Sequence, residues 1–548
     1  MAEPEALAQI ADALANKESF VLEAGAGSGK TRTLIDTVQL VLAQERESMV
    51  KTGRQVVCIT YTNVAKDEIT HRLNADPLAL VGTIHEFLWQ VVSPFQRELR
   101  LEILAINATA KKSIEGLDAL LSTQSVTYGQ FGRHFDRGEL SHDDVLTVSG
   151  ELFTKYPKIV RIAANRFPFI FVDEYQDTSE SVVALLLNHF VKSDQKPVVG
   201  FFGDTMQQIY DSKISDVAGT HGLRLVTKLE NYRCSIAVID VLNRLRTDIQ
   251  QVPAGQNLPG LVHLLTASAG SPDVYEAAMT HLAPSGWTRE NTKTLMLTHK
   301  GIAREVGFTS LVDAYGKRSF GTEQLMQRDD EFGEFFTYIG ALVGSYDSRR
   351  FGVFLNLLGQ SGFEFKAASQ KAEIATEING LKELLSTKNV GEVVDFVAAS
   401  PLIPLPKKIR QLRERMSSVT EEGDSVFEKK KVFYDAVRGV AWSQIRNFLD
   451  YADEFTPFST KHGVKGAEFE NVLVIVDDSL WNMYKFGQVF TDDRSNSGRF
   501  ERSQKLLYVC FSRAMDGLAV LWLGGSSSGE LAGLKTLLNV STSTAIST

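Results

Sequence analysis

The chain has 548 residues, 43% hydrophobic and 23% charged, the proportions of a soluble globular protein rather than of a disordered or fibrous one. That length excludes a single core, and about three or four domains are expected. A net charge of −9 argues against coating nucleic acid through a bulk basic surface, but not against a local basic channel.

In chain order, the N-terminal MAEPEALAQIADALANKESF carries acids where a signal peptide carries basic residues and an apolar stretch. No apolar run approaches the length needed to span a bilayer, so a cytoplasmic protein without membrane association is expected. Short apolar runs suited to buried parallel strands follow at 19–24, 55–61, 169–173 and 197–202, and again at 293–298, 471–476 and 518–523. Helical patterns such as TRTLIDTVQLVLAQ and NVAKDEITHRL come after several of them, and the expected fold class is α/β. Residues near 96–160 and 345–440 are helical and polar or charged, and read as insertions. Cys58, Cys234 and Cys510 lie far apart in apolar surroundings, which suits buried free thiols rather than a disulfide framework or a metal ligand set. The tail from about 531 onward, rich in Ser and Thr, is expected to be disordered.

FVLEAGAGSGKTRTLI begins at residue 20, where a strand ends in small residues and a helix begins. A phosphate loop asks for Gly, four residues, then Gly-Lys-Ser/Thr. Here Ala24 leads, and Gly25, Ala26, Gly27, Ser28 and Gly29 form the turn ahead of Lys30, Thr31 and Arg32. Small residues let backbone N–H groups face phosphate oxygens. Lys30 is placed to reach the β- and γ-phosphates of ATP, and Thr31 to hold Mg²⁺. FPFIFVDEYQDT, from residue 167, supplies the acidic element: Asp173 for the metal, and Glu174 to orient and deprotonate an attacking water.

Together, AGAGSGKT and VDEYQDT resemble the superfamily 1 DNA helicases of the UvrD/Rep/PcrA type. The rest of that motif series follows in order over most of the chain: ITYTNVAKDEITHRL, VGTIHEFL, VVGFFGDTMQQIY, LENYRCSIAVI, STKHGVKGAEFENVLVI and LLYVCFSRAMDGL. The resemblance implies two RecA-like P-loop domains, each carrying a mainly helical insertion. The first would span 1–95 and 160–222 with an insertion at 96–159. The second would span 223–344 and 441–530 with a reduced insertion at 345–440, and 531–548 would be the tail.

The resemblance also implies roles. Gln9 corresponds to an adenine-reading glutamine, Tyr232 to the aromatic that stacks on adenine, and Glu468 to an acid near the ribose. Gln207 corresponds to the γ-phosphate sensor, and Arg233 and Arg513 to two arginines that clamp the γ-phosphate from the second α/β domain. On the DNA side, Tyr61 takes the place of a base-stacking aromatic, with Thr62 and Asn63 beside it. Thr83, His85 and His462 match backbone-contacting positions.

Two motifs depart from the family pattern. Asp211-Ser212-Lys213 follows Ile209-Tyr210 where the family has an aromatic and then Arg-Gly-Ala. Ser503 and Lys505 replace an acidic and basic pair. Both insertions are short for a stand-alone helicase, and no fused nuclease fits after the last motif.

Two functions are therefore expected. One is an ATP-driven motor moving 3′ to 5′ on single-stranded DNA, with duplex unwinding. The other is a DNA- or nucleotide-responsive ATPase with little unwinding that regulates a separate nuclease-bearing subunit, similar to helicase-like subunits of antiphage systems such as Gabija. A small-molecule kinase is disfavoured, because it has no need of the TYTN, GTIH and TKHGVKGAEF segments.

Overall fold

The computed structural model describes residues 5–110, 113–129, 134–208, 217–268, 271, 273–296, 299–360, 370–417, 425–453, 458–459, 467–479, 484–524 and 528–546. His462 and the 209–213 departure lie outside the described residues. The chain forms two compact units, residues 1–261 with 501–516, and 262–500 with 517–548.

The first unit is built on a six-stranded parallel sheet. From edge to edge its strands are Ala79–Gly82, Val56–Ile59, Phe169–Asp173, Val198–Gly203, Phe20–Ala24 and Arg224–Lys228. The runs VVCI and VVGFFG are buried at every position, the signature of strands covered on both faces. One face packs against Leu34, Ile35 and Val38 of helix Lys30–Thr52. The other continues into the helical insertion, where Leu99, Ile103, Val148 and Leu152 share a core with Phe87, Phe167 and Phe190. Helices Gln96–Thr109 and His142–Lys155 are thus bound to this unit by apolar burial, the main source of stability for such helices.

The second unit also holds a six-stranded sheet, in the order Phe458–Ser459, Thr292–Met296, Phe469–Val476, Ala514–Trp522, Leu261–Thr266 and Thr544–Ala545. The central pairing of Thr292–Met296 with Phe469–Val476 is parallel. Helices over the expected insertion, including Gln370–Thr387, Val390–Ala399 and Lys407–Ser417, join flanking helices Glu331–Asp347 and Trp442–Ala452 in one core. Phe335 and Phe336 meet Trp442 edge-on there, with ring centroids 5.9 Å apart. Both α/β halves are therefore P-loop-type folds with helical additions. No helix among the described residues is long and apolar enough to cross a membrane. All three cysteines are buried, and none forms a disulfide among the described residues.

Two expectations change. The second α/β domain was expected from residue 223, yet residues up to 261 and 501–516 belong to the first unit. The reason is strand pairing: Arg224–Lys228 adds in parallel to Phe20–Ala24, and Asn231 is then buried against the phosphate loop. The expected disordered tail instead contains helix Ser528–Leu538, because Leu534 and Leu538 provide an apolar face that becomes fully buried.

Candidate active site

The strand Phe20–Ala24 delivers the loop Gly25–Gly29 to the start of helix Lys30–Thr52. Gly27 and Gly29 have φ of +72° and +76°, the left-handed region that glycine enters without penalty. A Cβ on Gly27 would come within 2.7 Å of both Arg233 Cβ and Asn231 Oδ1, so the loop admits no side chain there. Lys30 is buried at the helix start, and Ser28 Oγ is buried with no hydrogen-bond partner among the described residues. An orphaned buried hydroxyl, an ammonium and a helix N-terminus are the parts of an anion cradle. These residues fit a nucleotide phosphate.

Asp173 ends its strand in full burial. Desolvation, followed by the neighbouring Glu174 carboxylate, pushes its carboxyl up to about 7, while the Lys30 ammonium opposes the shift. A buried oxygen donor whose charged form is this unfavourable fits a hard divalent cation. Glu174 adopts φ +48°, a left-handed conformation uncommon outside glycine, which turns the chain sharply after the strand. Its carboxylate accepts from Gln176 Nε2, whose Oε1 in turn accepts from the Asp204 N–H at 3.1 Å.

Asp204 anchors the third side of the site. It is fully buried, and its Oδ2 accepts from Gln207 Nε2 at 2.9 Å. Gln207 Oε1 accepts from Arg513 Nη2 at 3.2 Å. Arg513 is buried, and desolvation followed by the adjacent Arg233 charge pulls its guanidinium down to about 10, while Glu174 opposes that shift. Arg233 donates through Nη1 to the Ser512 carbonyl at 3.4 Å. The first compact unit therefore brings together the loop, Asp173–Glu174, Gln207 and both arginines. The arginines were expected to arrive from a second domain. They lie in the first compact unit, where Asn231 beside Arg233 bonds the Ala26 carbonyl and Arg513 bonds Gln207, although the strand that follows Arg513 belongs to the second sheet.

Tyr232 is half exposed beside the loop, donating its N–H to the Gly27 carbonyl at 2.9 Å, with Lys228 Nζ 5.7 Å above its ring. Arg32 is exposed and Thr31 half-buried on the first helical turn. Gln9 Nε2 donates to Glu5 within its own helix at 3.4 Å. Glu468 is exposed just ahead of strand Phe469–Val476, in the second unit. Lys505 donates to Gln208 Oε1 at 2.6 Å.

The sequence reading missed Glu23, Asp204, Arg246 and Tyr508. Asp204 and Tyr508 sit inside quoted motifs, GDTMQQIY and YVCFSRA, so a signal existed. Arg246 had none.

A groove of about 1040 Å³ that shares Asp173 with this site is lined by Tyr61, Asn63, Thr83 and His85, with His142 and Tyr128 from the insertion. Tyr61 is 58% exposed. The His85 and His142 rings lie 4.5 Å apart, and burial, then the His142 charge, lowers the His85 pKa. Thr62 and Thr83 serve as helix caps, accepting from Ala65 N at 3.2 Å and Glu86 N at 3.3 Å. Among the described residues the lining includes the carboxylates Glu86, Asp143, Asp173, Asp177 and Glu180 and no lysine or arginine, although Lys66 donates to Glu86 at 2.7 Å.

A family model described as an AAA domain matches residues 7–213. Gabija protein GajB of Bacillus cereus (strain HuB5-5) is 24% identical, with 95% of each chain covered. The chain is similar to UvrD/PcrA-like helicase-type proteins of superfamily 1 and to GajB. ATP-dependent DNA helicase PcrA of Staphylococcus aureus (strain Mu50 / ATCC 700699) is 25% identical over 43% of this chain and 39% of its own length. PcrA of Staphylococcus epidermidis is also 25% identical, over 48% of this chain and 41% of its length. The chain thus spans about two fifths of the PcrA relatives and nearly all of GajB.

Proposed function

We propose that this UvrD/PcrA-like protein hydrolyses ATP and couples the cycle to movement 3′ to 5′ along single-stranded DNA. The observation that carries the reading is the meeting of Lys30, Asp173–Glu174, Gln207 and Arg513 around one phosphate loop. In hydrolysis, a water oxygen bonds to the γ-phosphorus and the bond to the β–γ bridging oxygen breaks. ADP leaves, and Glu174 takes the water's proton. Lys30, Arg233 and Arg513 hold the charge on the transferred phosphoryl. Thr31 and Asp173 would hold Mg²⁺, which when bound neutralises phosphate charge. Gln9, Tyr232 and Glu468 are assigned to the nucleoside. Tyr61 offers a stacking face for a base, with Asn63, Thr83, His85 and His462 along the strand. The assignment of 1–95 with 160–222, and of 262–344 with 441–500 and 517–530, to two motor domains with insertions at 96–159 and 345–440 belongs to the same proposal, as does a cytoplasmic location.

A second reading has its own observation. Among the described residues the groove is lined by carboxylates and by no lysine or arginine, and the neighbouring Lys66 is paired with Glu86, so it offers little electrostatic grip on a phosphate backbone. That favours a DNA- or nucleotide-responsive ATPase that regulates a nuclease-bearing partner and unwinds little.

The test is ATP hydrolysis with and without single-stranded DNA, in wild type and Lys30→Ala, beside unwinding of a 3′-tailed duplex. DNA-stimulated hydrolysis that Lys30→Ala abolishes, with duplex opening, supports the motor. Hydrolysis with a closed duplex supports the regulated ATPase. A wild type that neither binds nor hydrolyses ATP sinks both.

A further inference from the structure

Ala26 lies inside the phosphate loop, and its peptide groups are held on both sides. Its carbonyl accepts from Asn231 Nδ2 at 3.0 Å and from Gln251 Nε2 at 2.9 Å. Its N–H donates to the phenol oxygen of Tyr508 at 3.0 Å, across 482 residues of sequence. The same phenol oxygen accepts from Arg246 Nη1 at 2.8 Å, and the Arg246 guanidinium lies 5.1 Å from the Tyr508 ring centre. Both lone pairs of that oxygen are thereby used.

Arg246 is fully buried. It donates to Asp204 Oδ1 at 3.1 Å and to both oxygens of Asp248, at 2.9 and 2.7 Å. Asp204 then receives Gln207, and Gln207 receives Arg513. An unbroken hydrogen-bonded path thus runs from the loop through Tyr508, Arg246, Asp204 and Gln207 to Arg513. Tyr508 and Arg513 are also five positions apart in the chain, so the path closes on itself through the backbone. A buried ion pair is a poor source of net stability compared with apolar packing of the same volume. What such a network does well is fix one geometry.

We infer that Tyr508 is a positioning residue for ATP hydrolysis: braced by Arg246, it locks the phosphate loop at Ala26 in register with the Gln207–Arg513 pair. This inference rests on the ATPase reading above. The remaining loop N–H groups and Lys30 still bind phosphate without the phenol oxygen. Its loss therefore acts on the alignment of Arg513 rather than on nucleotide affinity.

The test is Tyr508→Phe, which removes one oxygen and keeps the ring. The expected result is a kcat reduced on the order of tenfold, with KM and affinity for a fluorescent ATP analogue within about twofold of wild type. Amide exchange of the Gly25–Gly27 stretch should rise while the melting temperature holds. In an Arg513→Ala background the same change should cost much less, because the path is already broken. Unchanged kcat, a multiplicative effect with Arg513→Ala, or a kcat loss that tracks a fall in melting temperature each overturns the inference while leaving the ATPase reading intact. If the wild type shows no turnover, the ATPase reading fails separately. In that case unchanged loop exchange in Tyr508→Phe overturns the brace as well, and raised exchange supports it.

Discussion

Glu23 stands on the strand that delivers the phosphate loop, and its carboxylate receives the Tyr175 hydroxyl and, at 3.3 Å, the Thr205 N–H. Burial pushes its carboxyl from an ordinary 4.5 up to about 7, helped by the nearby Asp204 charge and opposed by the Tyr175 bond. The folded protein therefore holds this proton more tightly than the unfolded chain does. The associated stability is complete below about pH 4.5 and is lost as pH rises through about 7. Glu23→Gln removes the titration and keeps a carbonyl acceptor. Melting curves at about pH 5 and about pH 8 should show the variant gaining on wild type at the higher pH, by about 1–3 kcal/mol. Parallel melting temperatures across that range would show that Glu23 titrates normally.

At the scale of elements, helix Ser528–Leu538 contains two glycines with opposite surroundings. A Cβ on Gly533 would meet the Phe490 carbonyl oxygen at 1.7 Å, a backbone atom that cannot swing away. A Cβ on Gly529 would meet nothing within 4 Å. Gly533→Ala should therefore destabilise by about 1–3 kcal/mol through overpacking. Gly529→Ala should be neutral or stabilise by up to about 1 kcal/mol, since alanine suits a helix better than glycine. Denaturant melts of the two variants decide it, and effects of equal sign would mean this helix is not docked as described. Caps matter at the same scale: Thr83 and Glu86 exchange bonds at the start of helix Ile84–Val92, in a box that fixes where the groove-facing His85 begins.

At the scale of the whole molecule, a net charge of −9 coincides with a groove whose charged lining is acidic. Binding of single-stranded DNA would then depend on stacking at Tyr61 more than on counterion release. Raising salt from about 50 to about 200 mM should weaken binding by less than about tenfold, in contrast to proteins that neutralise many phosphates. Tyr61→Ala should cost about 1–3 kcal/mol of binding, read as loss of DNA-stimulated hydrolysis with basal hydrolysis retained. A steep salt dependence with an indifferent Tyr61 would move the strand to another surface.

The phosphate loop, the Asp173–Glu174 pair and the buried strands were legible in the sequence because each is a local pattern. A run such as FIFVDE states its own burial and its own strand end, and Gly27 and Gly29 mark the only backbone that can turn there. The helix at Ser528–Leu538 was obscured because its serine- and glycine-rich start reads as loop, and only burial of Leu534 and Leu538 selects the helix. Tyr508 lay inside a quoted motif but its partners did not show there, and Arg246 could not be found in advance. Apart from Asp248, two residues from Arg246, their partners lie 42 to 482 residues away, and an arginine in NRLRTDIQ carries no sign that it will be fully buried between Asp204 and a tyrosine. Sequence alone determined the chemistry that each motif can perform, since that chemistry is set by side-chain type and short spacing. Tertiary structure alone decided which motifs share one compact unit and what braces them, because strand order and the pairing of buried charges depend on contacts between distant segments.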